Sequence, residues 1–175
     1  VIFSDEAYYD FITLPDYPSM VALVKQGKNV IVSKTFSKVY GLAGLRLGYL
    51  IARPDIAARL NHAAMASTNT PAISAARKAL EDTEFYRFSL ARNEAAKRAI
   101  YQTLEGLDLP YVKSHTNFVF FRTGRPIQEI NRAMEKEGVL IGRPFPPMLD
   151  WARISTGTMD EMQGFGKALA RILPK

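Results

Sequence analysis

The residues best suited to chemistry lie in a short stretch centred on Lys38. An apolar run at 30–32 leads into hydroxyls and cations at 33–38, and glycines follow at positions 41, 44 and 48. This order predicts that the chain leaves a buried strand and carries reactive groups onto a tight loop. A lysine at the end of a sheet, in partly apolar surroundings and beside a second cation, is positioned to attack a carbonyl group.

The pattern around this stretch predicts an α/β fold. Apolar runs that come out at polar loops indicate strands, and apolar residues at helical spacing indicate helices between them. In the first half we expect strands at 1–4, 29–32 and 47–52 and helices at 20–25, from Arg53 and from Thr70. Thr70 is expected to cap its helix, with Pro71 in the first turn.

A long amphipathic helix is predicted from Thr83 to Leu104, with Gly106 ending it. Its apolar stripe is expected to contain Phe85, Phe88, Ala95 and Ala99. A helix of this length in so short a chain is suited to join two domains, so the boundary should lie within it or just before it. The expected domains are 1–83 and 84–175.

The remaining sequence predicts a small α/β unit. Strands are expected at 111–113, 117–121, 139–141 and 152–155, with a helix at 126–136 that Gly138 ends. The last helix is expected to end near Leu173. Thr158 and Glu161 have the spacing of a capping box at its start.

Composition excludes several kinds of site. The chain of 175 residues has no cysteine and two histidines far apart, so disulfides and zinc centres are not expected. No apolar run is long enough to span a membrane. The formal charge is +6, but the basic residues are scattered, so a nucleic-acid partner is not expected. Because the chain begins at Val1 within an apparent strand, we expect it to be a piece of a longer protein.

Four motifs in order carry a resemblance to a known family. They are Asp5-x-x-Tyr8, Ser33-x-Thr35-x-Ser37-Lys38, the glycine-rich segment 41–49 with Arg46, and Arg153-Ile-Ser-Thr-Gly-Thr158. Together they resemble the C-terminal half of a fold type I pyridoxal-phosphate-dependent aminotransferase, class I/II and similar to histidinol-phosphate aminotransferases. The resemblance implies the end of a three-layer α/β/α large domain followed by a small α/β C-terminal domain.

The resemblance assigns roles to residues of the first domain. Lys38 corresponds to the lysine that forms a Schiff base with pyridoxal 5'-phosphate and moves the proton during transamination. Asp5 corresponds to the partner of the pyridinium nitrogen, and Tyr8 to the tyrosine at the phenolic oxygen. The cofactor phosphate is expected to be held by hydroxyls and a guanidinium, namely those of Thr35, Ser37 and Arg46.

The resemblance also assigns two arginines of the second domain to the substrate. Arg153 corresponds to the arginine that binds the substrate carboxylate, where a bidentate contact fixes the reacting carbon. Arg143 lies near the position of an arginine that binds a substrate phosphate. The expected substrates are an amino acid or related amine and a 2-oxo acid.

Two other functions remain open from the sequence. A decarboxylase or lyase of the same fold shares these motifs, and so does the aminotransferase-like sensor domain of some transcription regulators. The resemblance further implies a cytoplasmic enzyme that is a homodimer at full length. The isolated 175 residues are expected to bind the cofactor weakly and not to turn over.

Overall fold

A computed structural model of the chain describes residues 1–65 and 67–174. These residues contain strands and helices in alternation, so the predicted α/β class is confirmed. The chain divides into two compact units, the first at residues 1–90 and the second from Ala91 onward. Each unit contains its own three-stranded sheet.

The sheet of the first unit brings two chain segments side by side. Its strands are β1 (Ile2–Asp5), β2 (Val30–Thr35) and β3 (Gly48–Ile51), in the order β1-β2-β3. β1 and β2 are parallel, and Asp5 lies opposite Ser33 in their register. The carboxyl ends of two strands therefore meet at one edge, which is where α/β sheets bind ligands. β3 is antiparallel to β2 and brings the chain back from the intervening loop.

The helices of the first unit begin close to where the sequence predicts. They are α1 (Val21–Lys25), α2 (Pro54–Ala63) and α3 (Thr70–Glu81), with single turns of 3-10 helix at Tyr9–Phe11 and Ala43–Leu45. One predicted cap is wrong. Asn69 and not Thr70 caps α3, since the Asn69 side chain accepts the Ala72 N–H. Asparagine is among the strongest N-cap residues, and it moves the start of the helix by one position.

The long helix is confirmed as α4 (Thr83–Gly106), and Ala99 of its predicted stripe packs against the core, but the two phenylalanines of that stripe do not. Phe85 and Phe88 are 41% and 52% exposed. The buried positions follow a helical period that includes two polar residues, at Asn93, Ala96, Lys97, Ile100 and Leu104. Lys97 can be buried because its Nζ reaches the Glu94 carboxylate at 2.6 Å and the Ser114 carbonyl at 3.0 Å. Polar residues on the buried face hid that face from a hydropathy pattern.

The second unit is an antiparallel sheet packed on helices. Its strands are β4 (Tyr111–Val112), β5 (Phe118–Arg122) and β6 (Trp151–Ser155), and its further helices are α5 (Ile127–Lys136) and α6 (Met159–Ile172). Alternate residues of β5 and β6 are buried in the core, at Val119, Phe121, Ala152 and Ile154. Because side chains alternate along a strand, Phe118, Phe120, Trp151 and Arg153 share the opposite face.

Two local predictions in the second unit have opposite outcomes. The strand predicted at 139–141 is wrong, since these residues have no regular structure. A single backbone hydrogen bond, from Gly142 N–H to the Arg153 carbonyl at 2.7 Å, joins the end of this segment to β6. The capping box is confirmed, with the Thr158 side chain and the Glu161 carboxylate each accepting a backbone N–H of the other residue.

Residues 1–65 and 67–174 contain neither a membrane-spanning helix nor a cluster of metal-binding side chains. No helix in these ranges is long and apolar enough to cross a membrane. The same ranges contain no cluster of three or more histidine, cysteine, aspartate or glutamate side chains that could hold a metal ion.

Gly48 is required for the close pairing of β2 and β3. A Cβ atom at this position would lie 2.7 Å from the Lys34 carbonyl oxygen. We expect Gly48→Ala to destabilise the strand pair by about 1–3 kcal/mol, the usual cost of inserting a methyl group into a packed site. Amide hydrogen exchange of residues 30–35 and 48–51, followed by mass spectrometry, measures this locally.

Gly44→Ala is the matched control. Nothing lies within 4 Å of a Cβ at Gly44, which is in the 3-10 turn Ala43–Leu45 just before β3. Exchange in β2 and β3 is expected to be unchanged by Gly44→Ala. Equal exchange rates in the two variants would show that the close approach at Gly48 is tolerated.

Candidate active site

The loop that follows β2 is closed by its own backbone. The N–H of Phe36 donates to the carbonyl of Leu47 at 3.2 Å, and the N–H of Leu42 donates to the carbonyl of Phe36 at 2.9 Å. The side chains of Phe36 and Val39 are buried and anchor the loop. Lys38 lies between these anchors, so its backbone is held while its side chain remains half-buried.

The amine of Lys38 lies over an aromatic ring from the neighbouring strand end. Its Nζ is 4.8 Å from the centroid of the Tyr8 ring. Tyr8 follows β1 and also packs against the ring of Phe11. A cation over a ring face is attracted by the ring quadrupole, which limits the positions of the amine. The parallel pairing of β1 and β2 thus brings two of the predicted site residues together.

The Asp5 carboxylate is oriented by two donors. Its Oδ1 accepts the Ser33 hydroxyl at 3.2 Å and the Ala7 N–H at 3.0 Å. Asp5 is exposed, so its second oxygen has room for a further donor. Ser33 belongs to the sequence motif around Lys38, but its contact with Asp5 depends on strand register and was not predicted.

The three predicted phosphate-binding residues lie at the end of β2 and on the loop that follows it. The N–H of Ser37 donates to Thr35 Oγ1 at 3.1 Å, which forms a tight turn before Lys38. Arg46 is exposed, and its Nη1 donates to the Ala43 carbonyl at 2.8 Å. Its backbone has φ +52°, in the left-handed region that long side chains rarely adopt. Strain of this kind is typical of residues whose direction is set by function.

A buried ion pair beneath the site was missed by the sequence prediction. Glu6 is 7% exposed, and its carboxylate lies 2.7 Å from the Nζ of Lys34. The same carboxylate accepts the Ser19 hydroxyl at 2.8 Å and the Met20 N–H at 2.7 Å. Lys34 Nζ also lies 4.1 Å from the centroid of the Tyr9 ring. These contacts tie β1, β2 and the start of α1 together next to Asp5.

The charge on Glu6 is stabilised in the folded state. Burial raises the pKa of Glu6, but hydrogen bonds from Lys34, Ser19 and Met20 lower it by more. The pKa of Glu6 is therefore below its usual value of 4.5. The carboxylate is therefore ionised at neutral pH, as the ion pair with Lys34 requires. The signal that could have revealed the buried Glu6 is its position directly after Asp5. Neighbouring residues of a strand point to opposite faces, so if Asp5 faces a ligand, Glu6 faces the other way, toward the interior.

A cluster of tilted aromatic rings packs against the loop. Tyr40 packs against Phe36 at 5.3 Å and against Tyr86 at 5.6 Å between centroids. The Tyr86 hydroxyl donates to Asp10 Oδ1 at 2.9 Å. Burial and this hydrogen bond to Asp10 raise the pKa of Tyr86, so the phenol keeps its proton and remains a donor. The first turn after β1 is thereby joined to the start of α4.

The two predicted substrate arginines lie in the second unit and share one ring. The Cζ of Arg153 is 5.0 Å from the centroid of Phe145, and the Cζ of Arg143 is 4.4 Å from the same centroid. Arg153 also lies over Phe118, at 5.1 Å. Arg143 is exposed and donates to the carbonyl of Pro144 at 3.2 Å. Phe145 is a site residue that the sequence prediction did not assign, although it is next but one to Arg143.

The family described as "Aminotransferase class I and II" matches residues 1–169. The chain therefore belongs to the class I and II aminotransferases. It is 37% identical over 172 residues to histidinol-phosphate aminotransferase 2 of Methylococcus capsulatus, which covers 97% of this chain and 46% of that protein.

Two solved structures are similar over nearly the whole chain. Histidinol-phosphate aminotransferase from Sinorhizobium meliloti, in complex with pyridoxal-5'-phosphate, has a TM-score of 0.88 and 27% identity, covering 99% of this chain and 48% of that one. L-threonine-O-3-phosphate decarboxylase from Porphyromonas gingivalis has a TM-score of 0.78 and 27% identity, and the match covers 99% of this chain and 55% of that one. The chain spans about half the length of the curated relatives it matches.

The buried pair predicts an acid sensitivity of the first unit. Because the pKa of Glu6 is lowered on folding, its contribution to stability is complete above about pH 4.5 and is lost as pH falls through the folded-state value. We expect Glu6→Gln to weaken the first unit at pH 7 by about 3 kcal/mol, since Lys34 loses its buried partner. The same variant is expected to be less sensitive to acid than the wild type.

Hydrogen exchange of residues 2–35 between pH 3 and pH 7 measures both effects, after correction for intrinsic exchange. Glu84→Gln serves as the control, because Glu84 is exposed at the start of α4. If Glu6→Gln and the wild type lose protection in parallel as pH falls, another group is responsible for the acid response.

Proposed function

We propose that this chain supplies the cofactor lysine and the substrate arginines of a pyridoxal-phosphate-dependent aminotransferase. The reaction would transfer an amino group from an amino acid, or a related amine such as histidinol phosphate, to a 2-oxo acid. The observation that carries the proposal is the placement of Lys38 over Tyr8 at the joined ends of β1 and β2. Family membership and the similarity to a structure containing pyridoxal-5'-phosphate support it.

The donors on the loop fit the phosphate of this cofactor. Hydroxyls of Thr35 and Ser37 and the guanidinium of Arg46 are the groups that bind a dianion in small protein sites. All three belong to the closed segment around Lys38, and Arg46 is exposed and able to exchange its bond to Ala43 for a ligand. We therefore assign the cofactor phosphate to these three residues.

The remaining residues of the first unit would act at the reacting end. Pyridoxal phosphate, when bound, supplies an electron sink for the substrate Cα. Asp5 would accept a hydrogen bond from a protonated ring nitrogen, in an orientation set by Ser33 and Ala7. Lys38 would move a proton to and from the substrate carbon, and Tyr8 would keep the amine in place.

The second unit would hold the substrate. Arg153 would bind the α-carboxylate, and Arg143 would bind an anionic group on the substrate side chain. We further propose that 1–83 is the end of the large cofactor domain and 84–175 the small domain. The full-length protein would act as a cytoplasmic homodimer, a proposal that follows from the resemblance to histidinol-phosphate aminotransferases.

A decarboxylase is the second candidate function. The similarity to L-threonine-O-3-phosphate decarboxylase extends over 99% of this chain, so the same set of side chains is compatible with loss of carbon dioxide. The two reactions leave different products on the cofactor. Only transamination converts it to the pyridoxamine form in proportion to the amine consumed, so single-turnover absorbance with the full-length holoenzyme separates them.

Covalent trapping tests the assignment of Lys38. Borohydride reduction of the full-length holoenzyme, followed by peptide mapping, is expected to place the cofactor mass on Lys38. Lys38→Arg should abolish that peptide adduct because a guanidinium does not attack the aldehyde. The measurement reads a covalent mass and needs no turnover.

Lys28→Arg is the matched control for trapping. Lys28 is exposed and lies in the turn before β2, so its loss should leave the adduct on Lys38 unchanged. A main adduct on Lys34 or on any other lysine would overturn the assignment.

A further inference from the structure

We propose that Phe118 and Phe145 are positioning residues for Arg153, which hold its guanidinium by stacking so that its two terminal amino groups face a ligand carboxylate. The proposal rests on the proposed carboxylate-binding role of Arg153 and adds the means by which that arginine is oriented. It also identifies Phe145 as a residue on which carboxylate affinity depends.

The first observation concerns the inner nitrogen of Arg153. Its Nε is buried and has no hydrogen-bond partner among the described residues. A buried N–H without an acceptor is unfavourable, and arginines that position themselves by ion pairs usually satisfy this atom. The orientation of Arg153 therefore depends on something other than a hydrogen bond to Nε.

Two aromatic rings contact the guanidinium of Arg153 instead. The guanidinium carbon lies 5.1 Å from the ring centre of Phe118 and 5.0 Å from that of Phe145. A planar guanidinium over an aromatic face is attracted by the ring, and two rings restrict the tilt of the group more than one. The rings come from β5 and from the segment before β6, so two separate parts of the fold define the position.

The third observation shows which atoms remain for a ligand. Gly142 lies against Arg153, since a Cβ at this glycine would be 3.4 Å from Nε and 2.8 Å from the Arg153 carbonyl oxygen. The backbone at Gly142 thus covers the inner side of the guanidinium. A carboxylate would approach Nη1 and Nη2 end-on, with two parallel charge-assisted hydrogen bonds.

Phe145 is itself held in place by the ring cluster on this face of the sheet. Phe120 meets Phe145 edge-on at 5.7 Å, and Phe120 in turn stacks on Trp151 at 5.0 Å between centroids. Arg143 also lies over Phe145. The Phe145 ring therefore contacts two guanidinium groups. Arg143 is the closer of the two to this ring and is exposed, whereas Arg153 is half-buried.

The side-chain Nε–Hε signal of Arg153 tests the proposal directly. In a chain labelled with 15N-arginine, this signal is assigned by its loss in Arg153→Lys. Stacking should shift the proton upfield in the wild type, and Phe145→Leu should move it downfield. Titration with 2-oxoglutarate is expected to give a Kd about fivefold higher for Phe145→Leu, as for the loss of one cation–π contact of a partly exposed arginine.

Three further variants separate stacking from packing. Phe145→Tyr keeps a ring and should restore both the signal position and the affinity. Phe120→Leu removes a ring that contacts Phe145 but is not one of the two rings under Arg153. The Arg153 signal should therefore move less from its wild-type position in Phe120→Leu than in Phe145→Leu. If Phe145→Leu does not fold, by circular dichroism and by the fluorescence of Trp151, then Phe118→Leu replaces it with the same expected changes.

The outcomes distinguish this proposal from the proposed function. An Arg153 signal and a Kd that are both unchanged in Phe145→Leu, while Arg153→Lys weakens binding, would overturn the positioning role and leave the role of Arg153 intact. Binding of 2-oxoglutarate that does not depend on Arg153 would overturn the carboxylate role. In that case the position of the Nε–Hε signal still decides whether the rings hold the guanidinium.

Discussion

The parallel pairing of β1 with β2 is the constraint on which the candidate site depends. Its register places Asp5 opposite Ser33, and the residues that follow each strand leave the sheet at the same edge. Tyr8 and Lys38 are thirty residues apart in the chain, yet the amine lies over the ring. A shift of one residue in this pairing would turn every side chain of the strand to the other face and separate these groups. The loop after β2 can present Lys38 usefully only because this register is held.

Buried polar contacts hold that register as much as apolar packing does. Val30 and Val32 are buried in β2, but the next residue on their face is Lys34, whose ammonium is paired with Glu6. The Glu6 carboxylate also accepts hydrogen bonds from the Ser19 hydroxyl and the Met20 N–H, and these two contacts tie it to the start of α1. Such a network is stable only when all its members are satisfied, so it specifies one arrangement of β1 and β2.

In the second unit, the alternation of strand residues separates the core from the face that carries Arg153. One face of β5 and β6 forms the core against α5 and α6, and the other carries rings with Arg153 among them. An arginine on a ring-covered face is partly desolvated, and the weakly negative ring faces attract its guanidinium. Such an arginine binds an anion more strongly than one in water, since its charge is less screened.

Local spacing of residues was enough to predict the α/β class, most element positions, the capping box of α6 and the loop that carries Lys38. It also pointed to Asp5, Tyr8, Arg46 and Arg153 through their motifs. Long-range packing, in contrast, creates the hydrogen bond from Ser33 to Asp5, the ion pair of Glu6 with Lys34 and the position of the Arg153 guanidinium over Phe145. It also decided that 139–141 is no strand and that Phe85 and Phe88 are exposed. These contacts join residues far apart in the chain, and strand register and helix rotation, which create them, are properties of packing and not of local sequence.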